Sequence, residues 1–363
     1  MISDHLLAIV RCADCRSRLA VSPDTKAGEP HVQLACTGCG RQYESPADYL
    51  DIRPLESFAE QTKYLDEALH VDARHERVSP PLLGSRIRND MLRAFLAPAP
   101  GELVVDLGCG SGRALLWNRD LGATLVGIDI AAFFSREARQ QVDLMLGDLR
   151  QLPFDAGIFD KAWSLDVLEH LSPDALAGML AEASRVLKPG GSLFVYTHVR
   201  KNAPIAAGLK WINRCANRLE AWGLVDLRQE RLRKSDHLNP LRDIPHLEAV
   251  ADAAGFRIGR IRFYTPLVGG FVENIMMRVA ERAMARRAAA HARLQTGATG
   301  TSAAEADAAA VREARTAAKE RISHRGPTYV ILRALSFAMK LDLLLFGRIT
   351  SGPFFALLVK KPQ

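Results

Sequence analysis

The chain reads as an α/β protein built on a doubly wound sheet, and three observations predict this. First, Leu103 to Leu107 is an apolar run whose β-branched Val104 and Val105 suit a strand buried on both faces. The run closes on Asp106 and a turn carrying Gly108, Gly110 and Gly112. Glycines there let the main chain turn tightly and approach a ligand. Second, Ala123 to Asp129 is another apolar run closed by a carboxylate, at the distance where a βαβ unit places a ribose-binding acid. Third, strand-like and helical stretches alternate through Leu146 to Leu149, Phe159 to His170, and Val186 to Gly191, which leads into Ser192 to Thr197.

The glycine spacing separates two cofactor classes. A dinucleotide fingerprint would need its third glycine where Arg113 stands. The actual pattern, Asp106-x-Gly108-x-Gly110-x-Gly112, resembles motif I of the class I S-adenosylmethionine (SAM) methyltransferases. The likeness continues in order through Asp129, Asp148, the segment Leu165 to His170, and Leu187 to Gly191. It covers roughly residues 85 to 264 and the final strand. The resemblance implies a seven-stranded, Rossmann-like methyltransferase sheet of the doubly wound α/β class. It implies SAM contacts from Asp106, Gly108, Cys109, Gly110, Gly112, Asp129, Ile130, Asp148, Leu149 and Asp166. In that family Asp129 would accept both ribose hydroxyls, Asp148 would bind the adenine amino group and Leu149 would pack beside the ring. Leu165 to His170 would border the methionine end.

The 363 residues allow two or three domains with an ample core. A net charge of +7 suits anionic partners such as membranes or nucleic acid without selecting either. Met1 to Val10 is too short for a signal peptide and runs straight into Arg11 and Cys12, so the expectation is a cytoplasmic protein, peripheral on the inner membrane face where it meets lipid. Six cysteines include two close pairs, Cys12 with Cys15 and Cys36 with Cys39. This C-x2-C spacing favours tetrahedral zinc over disulfides, and four thiolates leave no open catalytic position, so the Zn2+ is structural. The segment also resembles the short zinc-ribbon proteins that partner certain methyltransferases as activators, here fused to the enzyme. No obligate protein partner is evident.

The expected organisation is a zinc ribbon over 1–54, a linker and lid helix over 55–84 and a SAM-binding core over 85–265. A helical insertion over 266–351 then precedes a final core strand and tail over 352–363. Ser79 to Pro81 breaks the chain before a helix from Ser85 to Leu96. Tyr64, His70 and His75 read either as lid residues or as part of a solvated linker. Trp211, Ile212, Cys215 and Leu219 fall at helical spacing and predict one packed face, although the surrounding basic and aromatic content also suits RNA. Pro245 to Gly255 reads as a helix and Phe256 to Thr265 as the sixth strand. Gly352 to Lys360 reads as the seventh. Within the insertion, Phe271 to Arg293 is amphipathic, 296–304 is linker-like, and Ser302 with Glu305 forms a capping-box pattern opening an Ala-rich helix to Ile322. Tyr329 to Phe346 is apolar but carries Arg333, Lys340 and Asp342, which argues against spanning a bilayer. Arg333, Ser336 and Lys340 share a helical face, as in a helix lying in a membrane interface; a helical layer covering the sheet edge is the alternative.

Methyl transfer to a hydroxyl needs a base, and histidine is the natural one near neutral pH. His198 follows a strand at the carboxyl end of the sheet, where ligands bind, and His237 lies in the segment expected to build the acceptor pocket. His170 belongs to the Leu-Glu-His motif. Enzymes of the resembled class that methylate planar amines carry an Asn/Asp-Pro-Pro-aromatic motif after the fourth strand, where this chain has Ser164, Leu165, Asp166 and Val167. The sequence is more similar to small-molecule, quinone- and lipid-biosynthetic O- and C-methyltransferases, so the expected partner is a small hydrophobic or lipid-linked acceptor rather than nucleic acid. Two alternatives stay open: an rRNA base methyltransferase with an N-terminal ribbon, and a non-catalytic SAM-binding scaffold.

Overall fold

A computed structural model describes residues 2–22, 31–54, 78–200, 204–227, 231, 237–296 and 326–362. The lid candidates Tyr64, His70 and His75, the linker from 297 onward, and the Ala-rich helix to Ile322 lie outside the described residues.

The central sheet starts with β1 (Leu103–Leu107), β2 (Thr124–Asp129), β3 (Asp143–Leu146), β4 (Phe159–Leu165) and β5 (Leu187–His198), all parallel. β6 (Phe256–Phe263) and β7 (Pro353–Lys360) complete it, and β7 inserts antiparallel between β5 and β6. The resulting order is β3-β2-β1-β4-β5-β7-β6, so the strand direction of travel reverses beside β1. Open α/β sheets bind ligands outside the carboxyl ends of the strands at such a reversal. The seventh strand is the one expected from Gly352 to Lys360, with 266–351 intervening before it.

An eighth strand extends the sheet. Leu50 and Asp51 pair in parallel with Met145 and Leu146, and the Ile52 N–H donates to the Leu146 carbonyl at 3.0 Å. The N-terminal module, a helix Asp4–Ile9 and a three-stranded antiparallel sheet, therefore joins the core sheet directly. Leu6, Val10, Leu34 and Ile52 share one apolar core with Met145, Leu152 and Phe154. Arg11 N–H donates to the Pro153 carbonyl at 2.8 Å, and Gln151 Nε2 donates to the Ala13 carbonyl. The loop after β3 is thus clamped by the N-terminal module.

Helix α1 (Leu83–Leu96) begins two residues earlier than expected and buries Ile87, Leu92, Phe95 and Leu96. Helix α2 (Ala206–Ala221) buries Ile212 and Ala216, but Trp211, expected on the packed face, is 63% exposed and Trp222 is 71% exposed. Helical spacing says which residues share a face; it does not supply a neighbour to cover all of it. In the insertion, a π-turn over Val272–Met276 interrupts the helical path between Leu267–Phe271 and Met277–Thr296. The extra residue per turn rotates the apolar stripe, so Val272 is buried while Phe271, Met276 and Val279 face outward.

The apolar stretch Tyr329 to Phe346 is split at Lys340 into α3 (Pro327–Met339) and α4 (Leu341–Phe346). Its polar residues largely turn inward, contrary to the expectation for a helix presenting them to water. Ser336 is buried and accepts the Leu83 N–H at 2.7 Å, and Lys340 pairs with Asp90 at 2.5 Å. Asp342 is fully buried and accepts the Val268 and Gly269 N–H groups at 2.9 and 2.8 Å, satisfying donors that open a helix. The outward side is mainly apolar instead, with Arg333 the charged residue of α3 that stays exposed.

Candidate functional site

A cavity of about 420 Å³ opens at the carboxyl ends of β1, β2 and β4. Nine of the ten residues expected from the resemblance to contact cofactor line it: Asp106, Gly108, Cys109, Gly110, Asp129, Ile130, Asp148, Leu149 and Asp166; Gly112 does not. Gly108 (φ +83°) and Gly110 (φ +54°) occupy the left-handed region. A Cβ on Gly108 would sit 2.4 Å from Val167 Cγ2, whereas one on Gly110 would meet nothing within 4 Å. The first glycine packs the loop against the wall after β4, and the second bares its backbone to the cavity.

Asp129 holds this loop in place. Its Oδ2 accepts the Gly110 N–H at 2.7 Å and its Oδ1 accepts the Ala131 N–H at 3.1 Å. Burial raises its carboxyl above the usual range despite these donors. Burial likewise pushes Asp106 up to about 8. Asp148 reaches the cavity wall with its carboxylate already held by Arg150, through Nε at 3.0 Å and Nη2 at 2.7 Å. The adenine role implied for Asp148 therefore has to be shared with that guanidinium.

His170 lines the cavity, and the other two candidate histidines, far apart in sequence, converge on it. The His170 and His237 rings lie 4.6 Å apart edge to face, and the His237 and His198 rings 6.3 Å apart. Glu169, which the sequence reading passed over, sits among them. It is 2% exposed, accepts the Thr197 hydroxyl at 2.9 Å through Oε2, and places Oε1 3.5 Å from His198 Nδ1. Burial works to raise its carboxyl, but His198 beside it outweighs burial and leaves it lowered. Asp166 has φ +56°, uncommon for a residue with a side chain, and lies 3.4 Å from Arg88. Arg88 also lies over the Tyr196 ring at 5.4 Å. Arg88 was missed, although an arginine in the buried stripe of Gly84, Leu92 and Phe95 was a legible signal.

In the N-terminal module, Cys12 and Cys39 bring their sulfurs to 3.7 Å and Cys15 and Cys36 to 3.3 Å, all four within 4.8 Å of one another. Thiolates about 2.3 Å from a tetrahedral zinc lie about 3.8 Å apart. The donor set and spacing fit structural zinc.

Residues 105–195 match the family model described as a methyltransferase domain. Those residues carry a methyltransferase domain. Over 128 residues it is 38% identical to a ubiquinone biosynthesis O-methyltransferase of Xanthomonas campestris, covering 33% of this chain and 52% of that one. Over 108 residues it is 40% identical to a malonyl-[acyl-carrier protein] O-methyltransferase of Herminiimonas arsenicoxydans, covering 29% and 40%. A solved phosphoethanolamine N-methyltransferase 2 from Haemonchus contortus, in complex with SAM, superposes with a TM-score of 0.45 at 15% identity, covering 89% of this chain and 62% of that one. The chain spans about half or less of the length of the curated relatives it matches. The methyltransferase domain's cavity fits SAM on its own geometry: a bare Gly110 backbone, a buried carboxylate at Asp129 beside it, and a further acid at Asp148.

Proposed function

We propose that the protein transfers a methyl group from SAM to a small, hydrophobic or lipid-linked acceptor at oxygen or carbon. The observation that carries this reading is the cavity lined by Asp129, the glycine loop and His170, with the His237 and His198 rings clustered beside His170. SAM supplies a methyl on a sulfonium sulfur, so the acceptor's electron pair forms the new bond as the carbon–sulfur bond breaks and leaves a neutral thioether. The protein's own residues then have two tasks, alignment and proton management. Asp129 and the Gly108–Gly112 loop bind the nucleoside end. Leu165 and Val167 exclude water beside the reacting centre. His170, His198 and His237 stand where an acceptor hydroxyl enters, and His237 is the first choice as base because it reaches the cluster from the loop outside the core sheet.

The two relatives support oxygen as the acceptor atom, since both are named O-methyltransferases, of ubiquinone biosynthesis and of malonyl-[acyl-carrier protein]. SAM labelled on its methyl group, incubated with the protein and fractionated cell extract, tests the proposal. Label in the organic fraction is the expected result. Label in RNA would replace it with the rRNA reading, and label nowhere, despite tight SAM binding, with the scaffold reading.

Peripheral membrane contact fits the same acceptor class and has its own support. Phe337 and Leu344 are 74% and 73% exposed, with Val330, Ile331 and Leu345 at 60% or more, on α3 and α4. No helix among the described residues is long and apolar enough to cross a membrane. Arg333 and Arg348 are exposed among these apolar residues and add positive charge suited to anionic lipid. Co-sedimentation with phosphatidylglycerol vesicles, lost in the double variant Phe337→Glu, Leu344→Glu, is the expected outcome; equal sedimentation of both proteins would refute it.

A further inference from the structure

We infer that Glu169, His170 and His237 form a binding site for one first-row divalent transition cation at the mouth of the methyltransferase cavity. One ligand atom from each of the three lies within 4.8 Å of the others, as the four ribbon sulfurs also do. Ligands held about 2.1 Å from a metal lie roughly 3.0 to 3.4 Å apart, so side-chain rotations of an ångström or so close the site. Two imidazoles and one carboxylate suit zinc, iron(II), cobalt or manganese better than magnesium, which prefers an all-oxygen shell.

Two further observations mark this as a built site rather than a chance meeting. Glu169 is anchored through Thr197, and its own carbonyl accepts the Asn239 N–H at 2.9 Å, which ties the loop carrying His237 to the turn carrying His170. That loop is also fastened by Arg200, whose N–H donates to the Leu241 carbonyl at 2.9 Å and whose Nη2 donates to the Leu238 carbonyl at 3.0 Å. Then there is His198. Its Nδ1 is buried and makes no hydrogen bond, 3.5 Å from Glu169 Oε1. Leaving a buried imidazole nitrogen unsatisfied is costly, and a fourth ligand role for its lone pair resolves the cost.

A cation here keeps open positions toward the cavity, where an acceptor oxygen can bind and lose its proton more readily. The histidines then act on the acceptor through the ion. This consequence rests on the proposed methyl transfer, but the binding site does not. The test uses the whole protein with its ribbon zinc retained, dialysed against a weak chelator and titrated calorimetrically with CoCl2 while absorbance is recorded. The expected result is one added equivalent of Co2+ without thiolate charge-transfer bands, weakened at least about tenfold in His237→Ala and in His170→Ala, since loss of even an outer-shell partner costs that much. His5→Ala, a change in the exposed N-terminal helix, should leave it unchanged. No added equivalent, or one that both histidine variants bind equally well, would overturn the inference. His237→Ala alters a half-buried loop, so its circular dichroism should match the parent and keep the comparison valid. SAM titrations on the same samples separate the two proposals: cobalt binding without SAM binding removes the function and leaves the metal site standing.

Discussion

Gly108 is the position where the cofactor loop is most tightly specified, and Gly108→Ala tests why. Two costs add. The residue sits at φ +83°, where an L side chain costs about 1–2 kcal/mol. The new Cβ would lie 2.4 Å from Val167 Cγ2 and 3.1 Å from Cγ1, so rotating the valine exchanges one clash for another. Overpacking of this kind costs about 1–3 kcal/mol. The sum is about 2–5 kcal/mol of stability, read as a lower urea midpoint at unchanged slope. Adding Val167→Ala should recover the steric part and leave the backbone part, so a double-mutant cycle should show about 1–3 kcal/mol of coupling. Wild-type stability in Gly108→Ala would refute the argument, and full recovery in the double variant would refute its backbone half.

Two further outcomes follow from the packing and the buried acids. Zinc chelation, or Cys36→Ser, should lower the melting temperature and also weaken SAM binding, because the N-terminal module holds the loop bearing Asp148 through Arg11, Gln151 and the Leu50–Met145 pairing; unchanged SAM affinity in the zinc-free protein would show that the two units are uncoupled. Burial raises Asp106 to about 8 and raises Asp129 as well, so each carboxyl keeps its proton in the folded chain at pH values where the unfolded chain releases it. The ligand-free protein should therefore be most stable near pH 4 in this respect and lose that contribution as pH rises toward about 8. Urea midpoints taken across that window check it, and Asp106→Asn should flatten the slope.

Much of the sheet was legible because its signals are local. Val104 to Asp106 and Leu125 to Asp129 are apolar runs closed by acids, and their pattern holds whatever surrounds them. The strand Pro353–Lys360 could be placed despite the long insertion for the same reason. Leu50 and Asp51 could not, since two residues carry no periodicity and their pairing with Met145 and Leu146 depends on how the N-terminal module docks. The π-turn at Val272–Met276 likewise reflects packing rather than a local rule. In the site, each histidine was visible singly. Their meeting was not, because it depends on the Asn239-to-Glu169 hydrogen bond closing one loop onto another. Glu169 was hidden inside a familiar motif, and only its burial beside Thr197 and His198 shows that it belongs to the cluster.

Calorimetric titration of SAM into the zinc-loaded protein and into Asp129→Ala decides whether the cavity is a methyl-donor site. Asp129 orders the glycine loop through two backbone N–H groups, and each such hydrogen bond contributes about 0.5–1.5 kcal/mol. The expected result is one SAM per chain, with affinity reduced about tenfold or more in the variant. Absence of binding in the parent, or equal affinity in the two proteins, would contradict the cofactor assignment on which the proposed methyl transfer stands.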